Sequence, residues 1–272
     1  MCSLDPQKNK PKTTFPANSV KHRREFKHPR VKSSPLLALC APTKYMSRHF
    51  EKDVDSIHRR LLTLFGVVEQ MIDKAVRALC EQKVELAVEV IATDHEVNQA
   101  EVEIEEECLK ILALHQPVAV ELRRVACVFK INSDIERIAD LACNIAERAH
   151  CMHQQPYFPI PDELPMMAKQ ASKMVRMALD SFVEGDVELA KQVIQLDASV
   201  DQSNLAVIEE LQGLMKQDKE LVIPALHCFS ASRHLERIAD HAENIAEDVI
   251  YFVDGEIIRH RHGDEIYNTE ET

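Results

Sequence analysis

Residues 135–148 read IERIADLACNIAER and residues 235–248 read LERIADHAENIAED, and ten of the fourteen positions are identical. A second similar pair lies upstream: VELAVEVIATDHEVNQAE begins at Val84 and VELAKQVIQLDASVDQSN begins at Val187. The two pairs are offset by 100 and 103 residues, so two copies of about a hundred residues stand in tandem. A possible site motif that occurs in both copies is therefore less likely to arise by chance than a motif that occurs once.

Apolar residues recur every three or four positions through these stretches, as in the run Val128, Ile131, Ile135, Ile138. Such a seam is typical of a long helix packed in a bundle. The chain has only five glycines to interrupt its helices. Each copy holds three such segments, and the third begins near a proline, Pro117 or Pro224, which suits a first helical turn. The pattern predicts an all-α protein of two tandem three-helix bundles, each long enough to bury its own core.

The first repeat is predicted over residues 46–155 and the second over residues 166–255. The proline-rich stretch PYFPIPDELP at residues 156–165 is predicted to link them, and residues 256–272 form a C-terminal tail. Residues 1–45 hold six of the twelve prolines and ten Lys or Arg against two acids, without periodicity. We expect this basic extension to be disordered; a misassigned start, with the protein proper opening at Met46, is the favoured explanation.

The charge is divided unevenly: residues 1–45 carry +8 and the remainder carries −20. An acidic body argues against direct binding of nucleic acid and suits metal cations or basic partner surfaces. The eight cysteines form no CxxC pair, which indicates free thiols in a reducing cytoplasm. No apolar run approaches the roughly 18 residues that a membrane-spanning helix needs. We therefore predict a cytoplasmic protein.

The third segment of each copy carries a polar stripe. Its members are Glu136, Asp140, Asn144 and Glu147 in the first copy, and Glu236, Asp240, Asn244 and Glu247 in the second. At 100° per residue each stripe lies about opposite the apolar seam. Glu and Asp four residues apart repel on a helix, so a cation is expected to compensate them. The alternative is an ordinary solvated face with Arg137 and Arg237 as neighbours.

Acids also interrupt the apolar seams of the middle segments, at Asp94, Glu101 and Asp197. Buried alone they would be costly, so they require a metal, water or an arginine. The arginine alternatives are Arg123, Arg124 and Arg233. Oxygen ligands without a Cys or His cluster suit Mg, Mn or Fe better than a closed Zn site, although Zn stays among the candidates.

The repeated ERIADxAxNIAE motif resembles the PhoU family of phosphate-uptake regulators. HQPVAVELRRV from His115, GVVEQMIDKAV from Gly66 and IIRHRHGDE from Ile257 extend the resemblance from Met46 to the end of the chain. The resemblance implies two three-helix bundles related by pseudo-symmetry, with metal ions at two acidic pairs, Glu136 with Asp140 and Glu236 with Asp240. The acids of the middle segments are further candidates, namely Asp94, Glu101, Asp197 and Asp201.

Three positions depart from the family pattern. Asn98 and Asn204 stand where an acid is expected, and Glu121 replaces the aspartate that usually precedes Leu-Arg. Full metal occupancy of both halves is therefore not expected.

The resemblance implies a non-enzymatic negative regulator of the phosphate-starvation response and of phosphate uptake. Its partners would be the ATP-binding subunit of the high-affinity phosphate transporter and a sensor histidine kinase, reached by peripheral association with the membrane complex. A homodimer is also expected. The alternatives are a metal buffer or scaffold, or a di-metal carboxylate enzyme. An enzyme of that kind needs ExxH on two helices, and the predicted helical segments offer only Glu147 to His150.

Overall fold

The computed structural model describes residues 48–153, 155 and 158–257. All of these belong to one compact unit, residues 46–272. The predictions for residues 1–45 and for the tail from residue 258 onward lie outside the described residues.

Six helices account for almost all of the described chain. They are α1 (Arg48–Cys80), α2 (Val84–His115), α3 (Val120–Met152), α4 (Glu163–Glu184), α5 (Val187–Gln217) and α6 (Val222–Asp254). A short 3-10 helix, Lys219–Leu221, leads into α6. The described ranges hold no strand, and the predicted all-α class with three helices in each repeat is confirmed. None of the helices in these ranges has the length and apolar character needed to cross a membrane.

Two helix starts differ from the sequence prediction. Pro224 lies in the first turn of α6 as predicted, but Pro117 precedes α3 by three residues because that helix begins only at Val120. Helix α4 begins at Glu163, inside the predicted linker, since Pro165 falls in its first turn, where a missing amide hydrogen breaks no helical bond.

The turns between consecutive helices of the same repeat are short. Gln82 takes a left-handed φ of 53° between α1 and α2, and Gly185 takes a φ of 65° between α4 and α5. At the start of α5 the Asp186 side chain accepts a hydrogen bond from the backbone N–H of Leu189 at 3.0 Å. Turns this short make consecutive helices antiparallel neighbours, so the three helices of each repeat pack side by side.

Helices α3 and α6 lie antiparallel at the centre and join the two repeats. The Arg123 Nε donates to the carbonyl of Phe252 at 3.4 Å, and Asp134 meets His241 at 2.9 Å. The apolar seams of both bundles merge into one continuous core, which contains Ile138 and Ile238, both fully buried. The prediction of separate cores therefore differs from the structure, because the α3–α6 contact buries apolar residues of both repeats together.

Candidate metal centres

The predicted site residues come together in two groups, one in each repeat. The first acidic cluster contains Asp94 and Glu101 of α2 with Glu136 and Asp140 of α3. The second acidic cluster contains Asp197 and Asp201 of α5 with Glu236, Asp240 and Glu243 of α6. Every residue predicted to bind metal falls in one of these two clusters.

Helix packing places the acids at the borders between helices. On α2, Val90, Val97 and Ile104 are buried, so the acids interleaved with them on the same seam are turned toward the bundle. On α3, Ile135 and Ile138 are completely buried. Because α3 also packs against α1 and α6, only a narrow face of it remains open.

The predicted orientation of the acidic stripes was therefore incomplete. Glu136 and Glu236 are half-buried, whereas Asp140 and Asp240 are exposed at the residue level. The stripes do not simply face solvent opposite the seam, because the glutamates lie at the edge next to the middle helix of the same bundle. That helix brings its own acids to them.

In the first acidic cluster the carboxylates disfavour one another's charge. Burial raises the pKa of Glu136, and Asp140, Glu101 and Asp94 raise it further, against the lowering effect of Arg137. The pKa of Asp140 is raised by burial and by Asp94. Because the pKa values of Glu136 and Asp140 are raised in this way, a bound cation would be favoured at this site.

The second acidic cluster shows the same effect more strongly. Burial raises the pKa of Asp197 to about 7, and the carboxylates of Glu243, Asp201, Asp240 and Glu236 add to the shift. Burial, followed by Asp201, raises the pKa of Asp240, although His241 and two arginines oppose it. Asp197 is thus the acid of this cluster that is most in need of a positive partner.

Several oxygens in these clusters have no hydrogen-bond partner among the described residues. Oδ1 of Asp94 and Oδ1 of Asp197 are buried in this way, as are the amide oxygens of Asn98 and Asn204. Nδ2 of Asn98 donates to the other oxygen of Asp94 at 3.1 Å, and Asn204 is only 2% exposed. The two asparagines that depart from the family pattern therefore still place oxygen atoms beside the acids, and these oxygens could serve as metal ligands.

The arginines considered as alternative partners mostly bind elsewhere. Arg123 caps the end of α6 through the carbonyl of Phe252, and Arg124 lies near Glu51 and Asp55 at 3.8 and 3.9 Å. Arg233 does pair with Glu236 in the second acidic cluster. This pairing involves a carboxylate of the stripe and not one of the middle-segment acids for which the arginines were considered.

The donor set fits a hard cation in type and charge. It consists of carboxylate and amide oxygens, which Mg²⁺, Mn²⁺ and ferric iron favour. Within residues 48–153, 155 and 158–257, no three Asp, Glu, His or Cys side chains converge closely enough to hold a metal ion. Side-chain rotations would therefore have to draw the oxygens together around it.

Sequence reasoning missed Glu243 and the orphaned amide oxygens. Glu243 follows Asp240 by three residues on α6, so its helical spacing could have revealed it. A cavity of about 420 Å³ between α1 and α2 lies apart from both clusters, since none of the predicted metal-site residues lines it.

Comparison with known proteins shows the same two-fold organisation. The model of the PhoU domain matches residues 61–149 and matches again at residues 164–249. The chain belongs to the PhoU family. Each match covers most of one three-helix repeat, and the first acidic cluster and the second acidic cluster lie inside the first and second match.

Individual PhoU relatives match over most of their length. A protein of Pseudomonas aeruginosa described as "Phosphate-specific transport system accessory protein PhoU homolog" is 38% identical over 219 residues, covering 80% of this chain and 90% of the relative. The Escherichia coli K12 "Phosphate-specific transport system accessory protein PhoU" is 33% identical over 223 residues, covering 82% and 92%.

Solved PhoU structures share the fold. The crystal structure of PhoU from Pseudomonas aeruginosa aligns with a TM-score of 0.72 at 38% identity, covering 76% of this chain and 100% of the other. The phosphate transport system regulatory protein PhoU from Streptococcus pneumoniae gives 0.71 at 30% identity, covering 76% and 98%. The predicted family and the predicted paired bundles of the PhoU fold are confirmed.

Proposed function

We propose that this chain is a negative regulator of the phosphate-starvation response and of phosphate uptake. In this role it serves as a metal-binding adaptor between the ATP-binding subunit of a high-affinity phosphate transporter and a sensor histidine kinase. The observation that carries the proposal is the family match over both repeats, to relatives named as accessory proteins of a phosphate-specific transport system. No bond is made or broken by the adaptor itself.

The acidic clusters supply the metal-binding part of this function. Asp94, Glu101, Glu136 and Asp140 would hold one group of ions, and Asp197, Asp201, Glu236 and Asp240 the other. A divalent or ferric cation supplies positive charge that offsets the carboxylate repulsion described above. Because each cluster draws on two helices, its side chains would tie the middle helix to the third helix of the same bundle.

The adaptor part of the function depends on the surface that the protein offers to its partners. The acidic body, −20 over residues 46–272, favours basic partner surfaces. Association with the transporter and the kinase would be peripheral and on the cytoplasmic side, and the regulator is proposed to act as a homodimer. In high phosphate it would hold the kinase in its phosphatase state and restrain uptake.

A metal buffer or scaffold is the second candidate, because the acidic clusters alone would support it. The di-metal enzyme is disfavoured because α1 to α6 contain only one ExxH segment, Glu147 to His150, whereas a di-iron bundle draws ligands from two such segments. Regulation and buffering differ in what happens to gene expression when the protein is absent.

The deciding experiment is a deletion strain grown in plentiful phosphate. If the protein is a negative regulator, phosphate-starvation genes should be expressed in this strain. If it is a metal buffer, they should stay repressed. Complementation with Glu136→Gln combined with Glu236→Gln tests the role of the metal, and the exposed Glu209→Gln is the matched control. Normal repression in the deletion strain would rule the regulator out.

A further inference from the structure

The contact between α3 and α6 contains two loci that the internal repeat relates to each other. The repeat pairs each residue of α3 with the residue 100 positions later on α6, so Lys130 corresponds to Ser230 and Asp134 to His234. In the same way Leu141 corresponds to His241, and Arg148 to Asp248. An antiparallel contact places the first two positions of one helix near the last two of the other.

At the first locus each carboxylate has a partner on the other helix. Lys130 pairs with Asp248, whose side chain is only 2% exposed. Asp134 contacts His241 at 2.9 Å, and both side chains are largely buried. Two carboxylates therefore face one lysine and one histidine across the contact between the repeats.

At the second locus the positions that correspond to Asp134 and Asp248 carry no carboxylate. The repeat places Arg148 where the first locus has Asp248, and His234 where it has Asp134. His227, one turn before Ser230 on α6, is close enough to Arg148 to feel its charge. Glu147, which meets the Arg148 guanidinium at 3.3 Å, is half exposed to solvent and also acts on His234.

Hydrogen-bond donors at the second locus are left over. Nε of Arg148 and Nδ1 of His234 are both buried without a hydrogen-bond partner among the described residues. The Ser230 hydroxyl lies 3.2 Å from Nε2 of His234. Nε of Arg148 is always a donor, and Nδ1 of His234 is a donor whenever the imidazole accepts from this hydroxyl at Nε2. Buried donors without acceptors are costly, which indicates a missing acceptor.

The electrostatics agree with this geometry. The charged groups that act on His234 are Arg237, Arg148 and Glu147. Burial and the charge of Arg148 lower the pKa of His227. An anion placed among these groups would offset the positive charge of Arg148, which acts on both histidines, and that of Arg237, which acts on His234.

We propose that the second locus binds a tetrahedral oxyanion of the phosphate class, with Arg148 as its main ligand and His234 and His227 as further donors. Phosphate offers several acceptor oxygens to donors that arrive from two helices, and guanidinium is well suited to it. Because the ligands come from α3 and α6, the anion would bridge the two repeats. This goes beyond the adaptor function, since it lets the protein sense the anion directly.

Titration of the purified full chain with inorganic phosphate, in the presence of a metal chelator, tests the proposal by calorimetry. Wild type should bind at millimolar or lower concentration, and Arg148→Gln should weaken binding at least tenfold. Arg137→Gln removes the same charge from an exposed position of α3 and should stay within twofold of wild type. Methyl phosphate separates free phosphate from a phosphoryl group on an organic molecule, and acetate tests for a carboxylate ligand instead.

A second variant tests the repeat relation itself. His234→Asp restores beside Arg148 the carboxylate that Asp134 provides at the first locus. It should abolish phosphate binding and raise the melting temperature in phosphate-free buffer. The proposal is overturned if chelated wild type binds no phosphate, if acetate binds as well as phosphate, or if Arg148→Gln and Arg137→Gln bind alike. The binding measurements do not depend on gene expression in the deletion strain. The phosphate site can therefore be disproved without disproving the adaptor function, and the reverse.

Discussion

Replacing Asp197 by asparagine should stabilise the metal-free protein at about pH 8 and have little effect at about pH 4. The carboxylate of Asp197 is half-buried among four other acids, and burial and their charges raise its pKa to about 7. Asparagine keeps the shape and the oxygen but removes the charge. The substitution therefore removes a repulsion without opening a cavity.

The sign follows from proton linkage. The ordinary pKa of this group is 3.8, so the unfolded chain releases the proton at a lower pH than the folded protein. The folded protein thus loses stability as the pH rises from about 4 to about 7, and the full penalty is present above that range.

The magnitude is bounded by the same pKa values. The difference between about 7 and 3.8 corresponds to an upper limit of about 4 kcal/mol. Solvent screening of a half-exposed group reduces this to about 1 to 2 kcal/mol. For a domain of this size the gain would appear as a rise of roughly 2 to 8 °C in melting temperature.

Thermal unfolding with a chelator present, followed at both pH values, is the assay. Glu210→Gln, an exposed acid on the same helix, is the matched control and should change little at either pH. Added Mn²⁺ should stabilise wild type at about pH 8 more than Asp197→Asn. Equal or lower stability of Asp197→Asn at that pH would show that the cluster is not under electrostatic strain.

Three further predictions concern metal, core and N-terminus. Elemental analysis of protein purified without chelator should find bound metal, and Glu136→Gln with Glu236→Gln should reduce it; unchanged content would remove these residues from the site. Ile138→Ala and Ile238→Ala, both at fully buried positions, should each lower the free energy of unfolding by about 2 to 5 kcal/mol in denaturant titrations. A loss below about 1 kcal/mol, which is typical of a surface substitution, would contradict the shared core. A chain beginning at Met46 should melt within about a degree or two of the full chain and repress equally well, because the extension lacks an apolar seam to offset its ordering entropy; protection of residues 21–32 from limited proteolysis would show otherwise.

The sequence predicted those features that are written locally along the chain. The three-and-four spacing of residues such as Ile135 and Ile138 specifies a helix and its buried face without reference to the rest of the molecule. Repetition of the ERIAD segment fixed the number of bundles and led to the family. Helix starts were predicted less well, because a proline such as Pro165 is compatible both with a linker and with a first helical turn.

Tertiary structure decided which side chains meet. Asp94 and Glu136 lie 42 positions apart in the chain and become neighbours only because α2 packs against α3. The stripe on α3, which sequence periodicity places on a solvent face, borders the middle helix for the same reason. The locus at Arg148 and His234 depends on the antiparallel crossing of α3 and α6, which periodicity within either helix does not specify. Helical spacing determines the faces of each helix, but the contacts between faces of different helices follow from packing the whole chain around one core.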